Sequence, residues 1–145
     1  MTWNRQRTYA TLVGLGICVL LLRTVIMLTD GTMTILMPWV STLLVLEFLL
    51  NVGTVLGSAW WWIAGSEARA WLPLRVAAAA AILHAFRVLI YVLGRTGPWI
   101  DFDRRSVYRG ITPPEWTWVI FAAVLSVLGI LGVAIVWHYR RTRTN

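Results

Sequence analysis

The chain has 145 residues, of which 59% are apolar and 13% charged, and its mean hydropathy is +0.71. A soluble domain is typically about 45–50% apolar and about a quarter charged, and a domain this small needs more polar surface than this chain offers. The net charge of +7 does not indicate nucleic-acid binding, because the basic residues are dispersed through apolar sequence. The composition predicts an integral membrane protein.

Four apolar stretches are each long enough to cross a bilayer core of about 30 Å, which takes roughly 20 helical residues. They comprise residues 8–28, 39–63, 74–93 and 116–137. Together they use most of the chain and leave no room for a separate catalytic domain. The sequence therefore predicts an all-α membrane protein, a single domain of residues 1–145 folded as a four-transmembrane-helix bundle.

The arginines predict the orientation of this bundle. With the N-terminus inside, the inner segments contain Arg5, Arg7, Arg69, Arg75, Arg140, Arg141 and Arg143, and the outer segments contain Arg95, Arg104, Arg105 and Arg109. This excess satisfies the positive-inside rule, so both termini are predicted to be cytoplasmic. The use of arginine to the exclusion of lysine is typical of a GC-rich bacterial genome, and the bacterial cytoplasmic (inner) membrane is the expected location.

All ten tryptophans fall near the predicted membrane boundaries. The inner set is Trp3, Trp60, Trp61, Trp62, Trp71 and Trp137, and the outer set is Trp39, Trp99, Trp116 and Trp118. Because amphipathic rings prefer the headgroup level, we expect two aromatic belts that anchor the bundle.

Small residues recur at helical spacing in every predicted span. The second span contains Gly53 and Gly57, and the third contains Ala77, Ala81 and Ala85. The first and fourth spans offer Ala10, Gly14, Ala122 and Ser126. Small residues permit close backbone contact between membrane helices, so these positions predict packing seams, either within the chain or between copies of it.

Ionisable and polar residues also occur inside the spans, and their depths match. At 1.5 Å per residue, Arg23 lies ~8 Å, Glu47 ~12 Å and Arg87 ~9 Å below the outer surface. Asn51 and His84 lie just deeper, and Tyr91 continues the Arg87 face outward. Charges at this depth are costly and normally face the bundle interior in pairs. We therefore expect a buried polar cluster of Arg23, Glu47, Asn51, His84, Arg87 and Tyr91.

This cluster has several interpretations. Two arginines against one acid favour binding of an anion such as a lipid phosphate, whereas Glu47 and His84 together favour a proton relay. A structural ion pair, with the arginine side chains reaching the outer headgroups, is the third interpretation. Thr54 and Ser58 continue the Glu47 face inward, which extends the polar surface beyond one ion pair.

The sequence thus favours an oligomeric conductor of ions or small solutes, or a membrane effector, that acts through the buried cluster. Two alternatives stay open: a non-catalytic accessory subunit of a larger membrane complex, and a lipid-phosphate-binding protein or membrane enzyme. The expected partners are the lipid bilayer, an anionic lipid or small anion, and a second copy or a partner subunit, with no nucleic acid.

Metal and cofactor chemistry is not expected. Cys18 is the one cysteine, which excludes an intrachain disulfide. His84 and His138 are separated by about half a bilayer in depth, so the two cannot ligate one haem. The polar segment 94–115 contains Asp101 and Asp103, but calcium takes roughly six to eight oxygen ligands, and this segment is interpreted as a charged cap on the outer headgroups. No catalytic motif indicates an enzyme.

Overall fold

The computed structural model describes residues 4–29, 38–96 and 116–141. These residues form four long helices, α1 (Arg5–Thr29), α2 (Pro38–Ala64), α3 (Trp71–Thr96) and α4 (Trp116–Arg141), and a short 3₁₀ helix at Glu67–Arg69. No strand occurs among them. The predicted all-helical fold class is confirmed, and each helix extends beyond its predicted apolar stretch at one end or both.

Three stretches of helix are long and apolar enough to cross a membrane: Arg5–Thr29, Pro38–Ala64 and Glu67–Ile90. The outer surface of the bundle agrees with this, because large apolar side chains are exposed on it, among them Leu15, Leu56 and Ile82, whose exposed fractions are 63%, 65% and 71%. A crossing by α4 and the orientation of the termini stay predictions, so inner and outer denote the predicted sides of the bundle. The segment 97–115, with its proposed charged cap, lies outside the described residues.

The four helices pack as a ring. α1 packs against α2 and α4, and α3 packs against the same two helices, whereas α1 and α3 have few direct contacts. The larger apolar core includes Val13, Ile17, Trp61, Ala77 and Val136. A smaller group of Val40, Leu44 and Ile90, here called the outer apolar cluster, lies toward the other end of the bundle.

The N-terminus of α1 joins the α2–α3 turn. The Asn4 side chain accepts a hydrogen bond from the Arg7 backbone N–H at 3.0 Å, which caps α1. The same side chain donates to the carbonyl of Gly65 at 3.0 Å, and Arg7 Nε donates to the carbonyl of Trp62 at 3.2 Å. Gly65 has a φ of +59°, which suits glycine at the residue that ends α2.

The predicted seam on α2 and α3 is formed in part. A Cβ built on Gly57 would lie 3.2 Å from Pro73 Cγ, whereas one on Gly53 would make an ordinary contact of 3.8 Å with Val76. Ala77 and Ala81 are buried. Ala85 is exposed, as are its neighbours Ile82 and Phe86. Ala85 therefore does not pack within this chain, and a seam between copies at this position stays a prediction.

A close helix crossing between α1 and α4 was not predicted. A Cβ on Gly16 would lie 2.9 Å from the Gly129 carbonyl oxygen, and one on Gly132 would lie 2.9 Å from the Leu12 carbonyl oxygen. The predicted small residues of α1 lie elsewhere, since Gly14 faces Ser58 of α2. The described glycines of α1 and α4 therefore bring the two backbones together where lipid provides no hydrophobic drive for association.

The described tryptophans include exposed rings and a buried one. Trp39, Trp60, Trp71 and Trp137 have exposed fractions of 43–56%, and their role as headgroup anchors stays a prediction. Trp61 is fully buried, because it occupies the inward face of α2, and its assignment to the aromatic belt is wrong. The side chains of Trp3, Trp99, Trp116 and Trp118 lie outside the described part of the chain.

Gly132→Ala should destabilise the bundle, because the added methyl group would meet backbone atoms of α1 that cannot rotate away. Overpacking of this kind costs about 1–3 kcal/mol. The measurement is the free energy of unfolding in mixed micelles. Gly53→Ala is the matched control, since its methyl group makes only an ordinary contact; equal stability of the two variants would contradict the assigned crossing.

Candidate functional site

The inward face of α2 is polar over most of its length. Its buried residues include Glu47, Asn51, Thr54 and Ser58, which are at most 3% exposed. Their spacing of four, three and four residues keeps them on one side of an α-helix. Since the lipid-facing side of α2 carries exposed residues such as Leu56, the helix places its polar face in the protein interior.

Glu47 is the centre of a cluster held by charged hydrogen bonds. Arg87 Nε donates to Glu47 Oε2, and Arg87 Nη2 lies 3.4 Å from Glu47 Oε1. The Nδ1 atom of His84 is 2.5 Å from the same Oε1. The side chains of Glu47 and His84 are fully buried and that of Arg87 is 3% exposed, so both carboxylate oxygens find partners on α3 without water.

The second ring nitrogen of His84 links the cluster to α4 and α1. His84 Nε2 is 2.7 Å from Ser126 Oγ and 3.4 Å from Arg23 Nη1. A guanidinium can only donate hydrogen bonds, so Arg23 requires Nε2 to be the acceptor. The ring then carries its proton on Nδ1 and donates it to Glu47, which is the neutral tautomer.

Side chains from all four helices meet in this cluster. Arg87 Nη1 also lies 3.3 Å from the sulfur of Met27 on α1. We call the group of Arg23, Met27, Glu47, His84, Arg87 and Ser126 the Glu47 cluster. With neutral His84 it contains two guanidinium groups and one carboxylate, which gives a formal charge of +1.

The structure places the residues of the predicted polar cluster as follows. It brings Arg23, Glu47, His84 and Arg87 into contact. Asn51 is buried one turn away from Glu47 and makes no hydrogen bond to a described residue. The side chain of Tyr91 lies outside the described part of the chain.

Ser126 and Met27 are members of the cluster that the sequence reasoning did not assign to it. Ser126 was interpreted only as a small packing residue. Its depth was a usable signal, since it lies ~15 Å below the outer end of α4, near the level of His84. Met27 gave no signal, because an apolar residue is ordinary inside a membrane span.

Several buried polar atoms continue from the cluster toward the inner end of the bundle. Asn51 Oδ1 and Nδ2, Ser58 Oγ and Trp61 Nε1 are buried and have no hydrogen-bond partner among the described residues. Thr54 donates to the carbonyl of Leu50 at 2.8 Å. We call Asn51, Thr54, Ser58 and Trp61 the polar stripe. Buried polar atoms in native proteins bond to protein or ordered water, so the atoms of this stripe have hydrogen-bonding capacity that the described side chains do not use.

The stripe has different surroundings at its two ends. Toward the inner end, Gln6 Oε1 is another buried atom without a described partner, and the buried residues of α3 include Leu74, Ala77 and Ala80. Toward the outer end, Leu44 precedes Glu47 by three residues and Ile90 follows Arg87 by three, both in the outer apolar cluster. The Glu47 cluster thus separates a polar region from an apolar one.

No family model, curated protein or solved structure matches this chain. Among the described residues, no three of His, Cys, Asp and Glu are placed to hold a metal ion together. The class that the fold and the site define is a membrane-like helical bundle with a buried, charged cluster.

Glu47→Gln should lower the free energy of unfolding by about 3–5 kcal/mol, because it leaves the Arg87 guanidinium buried without its carboxylate. Glu67→Gln is the control: its carboxylate is 59% exposed and 3.7 Å from Arg140, and an exposed pair contributes about 0–1 kcal/mol. In the double variant Glu47→Gln/Arg87→Met, part of the loss should be recovered. Equal effects of the two single substitutions would show that the buried pair does not hold the fold.

The tautomer of His84 is a second testable consequence. Nitrogen NMR of ¹⁵N-histidine-labelled protein should show a protonated Nδ1 and an unprotonated Nε2, since Arg23 requires Nε2 to accept. His138, the other histidine, is exposed, and its ring centre is 6.0 Å from that of Tyr139, so it provides a second imidazole signal outside the Glu47 cluster. A protonated Nε2 with a bare Nδ1 would contradict the hydrogen bond to Glu47.

Proposed function

We propose that this chain is a multi-pass protein of the bacterial cytoplasmic membrane, with all four helices spanning it, that conducts protons through the Glu47 cluster and the polar stripe. The observation that carries this proposal is the continuity of buried polar groups along the inward face of α2, from Glu47 to Ser58. An ion pair that served only to join helices would not need three further buried polar residues on the same face.

The tight burial of the site favours protons over larger ions. Glu47, Asn51, Thr54 and His84 have an exposed fraction of zero, whereas the walls of a water-filled pore would be accessible. A hydrated ion needs an open path, but a proton moves along hydrogen bonds between neighbouring oxygen and nitrogen atoms. Proton relays in membrane proteins are commonly built from Asp, Glu and His side chains.

The cluster contains two groups that exchange protons readily and two that do not. Arg23 and Arg87 stay protonated and supply fixed positive charge. Glu47 and His84 can each gain or lose a proton. Because Nδ1 of His84 already carries one, the ring takes up a proton on Nε2 and releases the Nδ1 proton to Glu47 Oε1, which lies 2.5 Å away. The protonated Glu47 then passes its proton to the stripe.

The outer apolar cluster controls whether protons can cross the outer part of the bundle. A proton that reaches His84 from the outer side must pass Val40, Leu44 and Ile90, which offer no hydrogen-bonding side chain. Hydrophobic constrictions of this kind gate membrane pathways by excluding water. The relay therefore has polar side chains on its inner side and apolar ones at the outer apolar cluster, so conduction requires the outer helix ends to separate or a second copy to complete the path.

Proton flux into liposomes that contain the purified protein tests this proposal. Wild-type protein should carry protons, and Asn51→Leu should reduce the flux at least tenfold, because it removes the polar atoms next to Glu47 and leaves the ion pair intact. The same substitution should leave stability equal or higher, since an unpartnered amide is replaced by an apolar group of similar volume. A lower flux together with equal or higher stability would show that the substitution interrupts the proton path and does not unfold the protein.

Thr42→Leu is the matched control. It changes a polar residue of the same helix that is exposed and outside the stripe, so its flux should equal that of the wild type. Absence of flux from well-folded wild-type protein, or equal flux in Asn51→Leu and wild type, would contradict conduction through the stripe. Another membrane chain that co-purifies in fixed ratio with inactive protein would instead support an accessory subunit.

A further inference from the structure

A second site lies at the opposite end of the bundle from the outer apolar cluster. A groove of about 330 Å³ opens between the start of α3 and the end of α4. Its rim carries Glu67, Trp71, Arg75, Trp137, Arg140 and Arg141, and Leu74 lines its apolar part. None of the rim residues belongs to the Glu47 cluster or to the polar stripe.

The charge of this groove favours an anionic ligand. Three guanidinium groups face one carboxylate, a formal surplus of two positive charges. The carboxylate of Glu67 is 3.7 Å from Arg140 Nη2 and 59% exposed, so solvent weakens its hold on that guanidinium. Guanidinium groups bind phosphate oxygens well because their donors match the phosphate geometry in pairs.

Tryptophan rings hold two of these arginines in place. The guanidinium carbon of Arg75 is 5.2 Å from the centre of the Trp71 ring, and that of Arg140 is 5.8 Å from the centre of the Trp61 ring. Contacts between cations and aromatic rings at these distances are attractive. These contacts already restrict the arginine side chains before a ligand binds, so less conformational entropy is lost on binding.

An apolar furrow continues from the groove along the bundle. It has a volume of about 330 Å³, runs between α3 and α4, and shares Trp137 and Arg141 with the groove. Its other walls include Ala78, Ile82 and Ala134. Small side chains on both helices leave room for an extended hydrocarbon chain on the membrane-facing surface.

We propose that the groove and the furrow together bind an anionic phospholipid. The phosphate lies between Arg75 and Arg140, and one acyl chain lies in the furrow between α3 and α4. A free phosphate ion would use the groove alone, whereas the furrow adds an apolar surface that an acyl chain can cover and a phosphate ion cannot. Basic pockets between helices at the cytoplasmic side of a membrane are suited to anionic headgroups, and the arginine distribution predicts that side for this end.

Retention of phosphatidylglycerol by the detergent-purified full chain, measured by native mass spectrometry, tests the proposal. Arg75→Ala/Arg140→Ala should reduce retention at least tenfold relative to wild type. Glu67→Gln should increase it several-fold, because the substitution removes the carboxylate that competes for Arg140. An increase of this kind is not expected if the groove arginines only stabilise the fold.

Arg69→Ala is the matched control. Arg69 is exposed, stacks on Trp60 at 4.5 Å and lies at the same end of the bundle, but it is outside the groove. Its loss should leave retention unchanged; equal losses in Arg69→Ala and the groove variant would show nonspecific attraction to a basic surface and overturn the site. Proton flux is not a readout here, so the two proposals fail separately.

Two further measurements distinguish binding of a lipid from binding of free phosphate. Ala134→Leu fills the furrow and should weaken retention of phosphatidylglycerol. Inorganic phosphate at millimolar concentration should displace little of the lipid, and neutral phosphatidylcholine should be retained far less than phosphatidylglycerol. Full displacement by inorganic phosphate together with no effect of Ala134→Leu would overturn the lipid assignment.

Discussion

The arrangement of the helices depends on the ion pair and hydrogen bonds of the Glu47 carboxylate. A buried carboxylate is strongly destabilising unless it is paired and hydrogen-bonded, and in this bundle both of its oxygens have partners on α3. His84 also contacts Ser126 on α4, and Arg87 also contacts Met27 on α1, so both helices are linked to Glu47 through α3. One charge thus fixes the rotation of all four helices, since turning any of them would break a link to it.

The orientation of α2 about its own axis determines which of its other residues face the protein interior. When Glu47 faces inward, the residues four, seven and eleven positions later face inward as well, and these are polar. Their partners across the interface are small: Ala77 and Ala80 are fully buried on α3, and Gly14 lies beside Ser58 on α1. The helices can therefore approach closely around a polar track, and close approach is what holds membrane helices together where lipid is as apolar as the side chains.

The depth of each residue within its membrane span could be predicted from the sequence. The face of the helix on which it lies could be predicted only in part. The regular rise of an α-helix placed Arg23, Glu47 and Arg87 at one level, and the cost of buried charge then required them to meet. Trp61 was misassigned because the aromatic-belt rule gives depth and not direction. The α1–α4 crossing was missed because spacing alone does not show which of several glycines meets a backbone carbonyl.

The two proposed sites are joined by one residue. Arg140 lines the lipid groove, and its guanidinium carbon is 5.8 Å from the ring of Trp61, the residue at which the polar stripe ends. Under the two proposals, a phosphate bound by Arg140 would lie one side chain away from the inner end of the stripe, on the side of Glu47 away from the outer apolar cluster.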